Sequence, residues 1–286
     1  MSNTIFTKTD SSTVTVATGS IITQADYPSG WAVTDIKSVN IGTVVTDISD
    51  NTFFNASNME SVFIPNSVTT IGLSAFQLSG LISVNIPASV SSVGTYAFSD
   101  TTTLSDITLN SNVNSLAFYQ NPAYGEPMTT IKFDYAGPIQ EGFCNGRTNL
   151  TSVTILQVTS IEDGVFRSTT SLTSITIPSS VTSIGNYAFY QSHLGGITIP
   201  ASVTSIGEYA FSYCYFLTAV AFESGIQLQT IGDFTFAQSG LSGTITFPAS
   251  VTSIGHGAFY ECSSLTGAVF ESGSQLQTIG GDALGL

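Results

Sequence analysis

Ile177-Pro178-Ser179-Ser180-Val181-Thr182-Ser183-Ile184-Gly185-Asn186-Tyr187-Ala188-Phe189 is the stretch that decides the fold. Close copies run from Ile199 to Phe211 and from Phe247 to Phe259. Anchored on the closing aromatic, the series is Phe53, Phe76, Phe98, Phe118, Phe143, Phe166, Phe189, Phe211, Phe236 and Phe259, with Leu284 in the last slot. The spacing is about 23 residues, and a fixed period of that length is the mark of a solenoid. In such an array each copy is one supersecondary unit that buries its apolar face only against its neighbours.

Each copy divides into two apolar pieces. Leu150-Thr151-Ser152-Val153-Thr154-Ile155 and Leu172-Thr173-Ser174-Ile175-Thr176-Ile177 alternate apolar and polar residues, the period of a strand with one buried face. Pro65, Pro87, Pro178, Pro200 and Pro248 end such strands, where the missing N–H no longer breaks a ladder. The V-T-S-I-G piece predicts a shorter extended stretch with Val and Ile inward. Gly72, Gly94, Gly185, Gly207, Gly232 and Gly255 then turn the chain, through positive φ or through close approach of another backbone. The x-x-A-F piece has room for one helical or 3-10 turn, with Ala and Phe packed beneath it.

The string Ile199–Cys214, I-P-x-S-V-T-S-I-G-x-x-A-F-x-x-C, and its counterpart Phe247–Cys262 resemble the BspA-type (Treponema pallidum-type) leucine-rich repeat family. The resemblance extends from Ile36 to the C-terminus and is strongest over residues 150–286. It implies a leucine-rich repeat solenoid, mainly β, with a concave parallel sheet, short convex strands and one-turn 3-10 or helical segments. About 11 repeats of about 23 residues are expected. It also implies an extracellular or cell-surface protein that binds other molecules, with no shared catalytic residues. The chain departs from the family pattern in keeping Cys at only two repeats, while Thr169, Ser192 or Ser239 stands near that slot elsewhere.

Residues 1–35 precede the pattern and read as an N-terminal cap, β in character, with a strand at Thr13-Val14-Thr15-Val16 and the only Trp, Trp31. Residues 36–286 form the solenoid. An irregular repeat occupies 110–147, where Asn121-Pro122-Ala123-Tyr124-Gly125-Glu126-Pro127 adds a loop, and the last copy is incomplete. A last repeat without a polar cap leads to the expectation of a longer natural chain or of docking at this flank.

Composition narrows the partners. Hydrophobic residues make up 42% and charged residues only 8%. Ser and Thr supply roughly 28%, so hydroxyls carry most of the solvated surface. The net charge is −14, and all five cations (Lys8, Lys37, Lys132, Arg147, Arg167) lie before residue 168. Nucleic acid and anionic membrane need clustered cations, so neither is an expected partner. The N-terminus lacks the apolar core of a signal peptide, no anchor is evident, and no apolar run reaches membrane-spanning length. Cys214 and Cys262 share a phase two repeats apart, which separates their backbones by roughly 10 Å, beyond disulfide reach of about 7 Å. With Cys144 they read as buried packing groups.

The chemistry-bearing residues do not assemble a catalytic site, a metal site or a cofactor site. His193 and His256 occupy different phases, too far apart for a zinc site, and no nucleophile-elbow motif accompanies the abundant serines. Asp50, Asp163, Glu208 and Asp233 each fall three residues before the repeat Phe, where a carboxylate accepts from exposed N–H groups of the turn. Calcium at Glu208 and Asp233 has no calcium-loop motif behind it. Asn55-Ala56-Ser57 and Asn149-Leu150-Thr151 match the glycosylation pattern at a level that chance supplies.

The outward positions of the first strand carry the functional expectation. Thr108, Lys132, Thr154, Thr176, Thr198 and Thr246 form one stripe, broken by Ala221. Ser152, Ser174 and Thr244 belong to a second, which Gly196 and Ala219 interrupt. Thr suits exposed strand positions on structural grounds alone. The functional reading is a flat, weakly charged surface for a protein or glycan ligand, in a non-enzymatic, adhesin-like scaffold. The alternative is a structural protein that self-assembles end to end, as a homo-oligomer, through its uncapped C-terminal repeat. Ice or crystal-surface binding and a glycan-active enzyme rank behind both.

Overall fold

The computed structural model describes residues 3–113, 115–119 and 127–285. Residues 121–126 of the expected loop lie outside the described residues. The architecture is a mainly β parallel solenoid of about 11 turns. It divides into two compact units, residues 1–135 and 136–286.

In the first unit, a hairpin of Thr4–Lys8 and Thr13–Val16 lies antiparallel on Ile36–Asn40, which pairs in parallel with Ser61–Phe63. The hairpin thereby occupies the backbone edge of the first repeat strand, where another strand would otherwise add. Further first strands, Ser83–Ile86, Asp106–Leu109 and Thr130–Phe133, form a parallel ladder in register. Second strands of two residues each stack as Ile21–Ile22, Asp47–Ile48, Thr70–Ile71 and Ser92–Val93. The second-strand ladder therefore already begins within residues 1–35. Tyr27 continues this overlap: its ring stacks on Phe53 at 6.2 Å and its hydroxyl donates to the Thr52 carbonyl.

In the second unit the second strands form one seven-stranded parallel sheet from Gly137–Ile139 to Thr278–Ile279. Two pairs of first strands form there, Gly196–Ile199 with Ala219–Phe222 and Ser242–Phe247 with Ser264–Phe270. Leu172–Ile177, expected as a strand, joins no ladder; its Thr173 carbonyl accepts one bond from Gly195 N–H at 3.0 Å.

The x-x-A-F segment explains why the second-strand side is the continuous one. It is not a helical turn in most repeats; 3-10 geometry occurs at Gln24–Asp26, Val33–Asp35 and Ser115–Phe118 among the described residues. Elsewhere the backbone enters the left-handed region two residues before and two after the Phe, as at Tyr187 and Gln191 (φ 54° and 57°) or Tyr209 and Tyr213 (54° and 58°). The N–H groups of Tyr187, Phe189 and Gln191 then donate to the carbonyls of Glu208, Ala210 and Ser212 of the following repeat at 2.8, 2.7 and 3.0 Å. The turn is itself a rung of the ladder.

Two other repeated positions serve the same stacking. Gly207 has no positive φ; a Cβ there would sit 2.6 Å from Asn186 N and 2.7 Å from the Gly185 carbonyl carbon, so close backbone approach is what excludes a side chain. The Phe rings form columns, Phe53–Phe76–Phe98–Phe118 in the first unit and Phe166–Phe189–Phe211–Phe236–Phe259 in the second, with centroids 5.0–5.3 Å apart. That spacing is the repeat rise of about 4.8 Å plus a small offset. In backbone register Phe143 stands one residue before the slot of the series, contrary to the expectation. Ile139 registers with Ile161, and Cys144 N–H bonds the Val165 carbonyl as Phe166 N–H bonds that of Ala188. Cys144 therefore fills the aromatic slot and Phe143 the Ala slot.

Candidate functional site

The fold assigns the carboxylates and histidines other work. Asp233 Oδ1 accepts from His256 N–H at 2.7 Å, Asp163 Oδ1 from Asn186 N–H at 2.7 Å, and Asp50 Oδ1 from Leu73 N–H at 2.7 Å. The acceptor role matches the expectation, but the N–H belongs to the next repeat rather than to the acid's own turn. Asn186 fills the same role toward Glu208 N–H at 2.8 Å. His193 packs on Phe216 with centroids 4.7 Å apart, and His256 meets Phe234 edge-on at 5.0 Å. Among the described residues no three His, Cys, Asp or Glu side chains converge as a metal site. No helix among them is long and apolar enough to cross a membrane.

All three cysteines are free and buried. Burial pushes the Cys144 thiol up to about 12 against the opposing charge of Arg147, and Cys214 up to about 11. Cys214 Sγ donates to the Phe189 carbonyl at 3.1 Å and Cys262 Sγ to that of Phe236 at 3.0 Å. Thr169 Oγ1, in the same slot, donates instead to the carbonyl of its own repeat's Phe166 at 2.8 Å.

The first-strand face carries the predicted binding residues. In the first unit, Thr108 lies between Asn85 and Lys132 in register, and Lys132 Nζ is paired with Asp134 at 2.8 Å. Both residues are half-buried. In the second unit Ser152, Thr154, Ser174, Thr176, Thr198, Thr244 and Thr246 are all exposed. Thr198 sits opposite Ala221; Thr244 and Thr246 face Gly267 and Val269 on a separate strand pair.

Thr176 and Thr198 come together in one shallow depression of about 430 Å³, with Gly196, Ala219, Ala221 and Glu223 on its lining. The depression exists because Gly196 pairs with Ala219 and Thr198 with Ala221, so four neighbouring slots hold small side chains. The small residues that interrupt the hydroxyl stripes in the sequence are therefore the ones that shape this hollow. Glu223 was not anticipated, although E-S-G-x-Q-L-Q recurs at 223 and 271. Glu223 Oε2 accepts from Ala201 N–H at 2.9 Å, and Glu271 Oε2 from Ala249 N–H at 3.0 Å.

Several solved structures and one repeat family are similar to this chain. A structure of a leucine-rich repeat protein from Bacteroides ovatus is 20% identical over 96% of this chain and 81% of that one, with a TM-score of 0.45. A leucine rich cell surface protein from Faecalibacterium prausnitzii is 22% identical over 97% and 96%, with a TM-score of 0.39. A leucine-rich repeat protein from Eubacterium ventriosum is 17% identical over 95% and 89%, with a TM-score of 0.41. A search of curated proteins gives no match. The BspA type leucine rich repeat region matches residues 29–131 and 139–284 in six copies, so the chain belongs to the BspA-type leucine-rich repeat family.

Proposed function

We propose that this chain is a non-enzymatic binding scaffold, adhesin-like and displayed at a cell surface, whose first-strand face receives a protein or glycan ligand. The observation that carries the reading is the depression around Thr176 and Thr198, an exposed hollow on an ordered repeat scaffold whose other recurrent residues are committed to stacking. Its lining offers hydroxyls, backbone and small apolar surface with one carboxylate, a mixture that suits a neutral polar ligand. A binding role without catalysis is further supported by Asp50, Asp163 and Asp233 of the turn column, whose carboxylates accept from backbone N–H groups.

The purified chain, presented to immobilised matrix proteins and a glycan array, is expected to retain at least one of them. Joint replacement of Thr154, Thr176 and Thr198 by Lys fills the face with long cationic side chains and is expected to abolish that binding. Retention at parental strength by the folded triple variant would remove the first-strand face from the account.

A further inference from the structure

Two long loops of the second unit flank a shorter one. Residues 223–229 link Ala219–Phe222 to Thr230–Ile231, and 271–277 link Ser264–Phe270 to Thr278–Ile279. In the repeat between them, residues 248–252 link Ser242–Phe247 to Ser253–Ile254 with two residues fewer. The short connection is the floor of a notch of about 500 Å³, and the long ones are its walls. Pro248 of the floor is buried, whereas Glu223, Gln227, Glu271 and Gln275 of the walls are exposed. Rungs about 4.8 Å apart set walls two repeats apart on the order of 10 Å from each other.

Both walls are built alike. Each begins Glu-Ser-Gly, with Gly225 and Gly273 at φ 77° and 82°. Ile226 N–H returns to the Glu223 carbonyl at 3.2 Å and Ser274 N–H to that of Glu271 at 3.1 Å, closing turns of the kind that takes glycine at its third position. Gln227 N–H is tied to the Ala201 carbonyl at 3.3 Å and Gln275 N–H to that of Ala249 at 2.8 Å. Each Glu gives Oε2 to the N–H of that same alanine, and among the described residues Oε1 of each has no partner.

This lining selects among ligands. Residues 168–286 contain no Lys or Arg, so no side-chain cation of this region offsets the charge of an anionic ligand. A peptide commonly binds by adding its backbone to an open strand edge, but here the walls are turns and the floor begins at Pro248, which has no N–H. A sugar hydroxyl both donates and accepts, so adjacent hydroxyls match a carboxylate oxygen beside the Gln275 carboxamide. The half-buried Phe222 ring adds apolar surface for the sugar's C–H face. Glu223 also lines the depression around Thr176 and Thr198, so the two hollows meet at one side chain.

We propose that the notch is a second subsite for an uncharged linear oligosaccharide, whose chain runs from the Thr176–Thr198 hollow past Glu223 to Glu271. The proposal rests on the first-strand reading and narrows its ligand to a glycan.

Calorimetric titration of the full chain with gluco-, galacto- and manno-oligosaccharides, each as disaccharide and hexasaccharide, tests this. At least one hexasaccharide is expected to bind about tenfold more tightly than its disaccharide, because it fills both hollows, and its sulfated counterpart about tenfold more weakly. Gln227→Lys with Gln275→Lys, at exposed positions, sets an ammonium beside each carboxylate and is expected to reduce the hexasaccharide to disaccharide affinity. Thr176→Lys with Thr198→Lys is expected to weaken both lengths. Equal affinity for the two lengths, or undiminished hexasaccharide binding by either folded variant, overturns the proposal. Retention of a matrix protein with no binding of any oligosaccharide overturns it too, while leaving the first-strand reading in place.

Discussion

Cys144 occupies a slot that in neighbouring repeats belongs to Phe, and its thiol is sealed in the core. Its folded pKa of about 12 lies above the ordinary value of 9.0, so the native state holds the proton that the unfolded chain releases. The stabilising contribution is therefore complete below pH 9 and is lost progressively as pH rises toward 12. Near pH 10.5 this loss is on the order of 2 kcal/mol for Cys144, with Cys214 adding to it in the same direction. Denaturant titrations at pH 8 and pH 10.5 check the expectation, and Cys144→Ala should give a shallower decline. An equal slope for parent and variant would assign the alkaline loss elsewhere. The slot assignment itself was not legible in the sequence. Phe143 is the aromatic next to it, and only the hydrogen-bond register distinguishes the two positions.

At the scale of the element, the repeat is held by coupled columns rather than by any one strand. Phe211 is fully buried between Phe189 at 5.0 Å and Phe236 at 5.2 Å, and its N–H bonds the Thr235 carbonyl at 2.7 Å. Phe211→Ala leaves the backbone bond intact but opens a cavity bounded by two rings, and is expected to cost about 3–5 kcal/mol. Equilibrium unfolding in urea measures it. A cost below about 1 kcal/mol would mean that the column closes over the gap and is not a packed unit. The aromatic series was readable from the sequence because one large apolar residue at a fixed period has few places to go. The ladder through the turn was not readable. It depends on paired left-handed residues such as Tyr187 and Gln191, and neither type announces that conformation.

Across the whole molecule, stability is a sum over neighbouring repeats, and charge acts against it. The net charge of −14 is spread over a chain whose second part, from residue 168, has no cation to offset its acids. Screening shortens the reach of this self-repulsion to roughly 8 Å at physiological salt. The thermal midpoint is therefore expected to rise by a few degrees between 10 and 150 mM sodium chloride, on the order of 1 kcal/mol of stabilisation. Scanning calorimetry at the two salt concentrations reads this directly; a falling midpoint would show that attractive pairs such as Lys132–Asp134 outweigh the repulsion.

By itself the sequence determined the repeat class, the interior and the turn positions, because burial in a stacked array forces the same residue types into the same slots. Ile184, Gly185, Ala188 and Phe189 are conspicuous for that reason. Tertiary structure alone decided where the side chains between those slots end up. Asp233 serves the next repeat's N–H, Gly196 and Ala219 open a hollow, and Tyr187 and Tyr209 become neighbours 4.9 Å apart. Each of these outcomes is a relation between residues about 23 positions apart, set by the register in which one turn lies on the next.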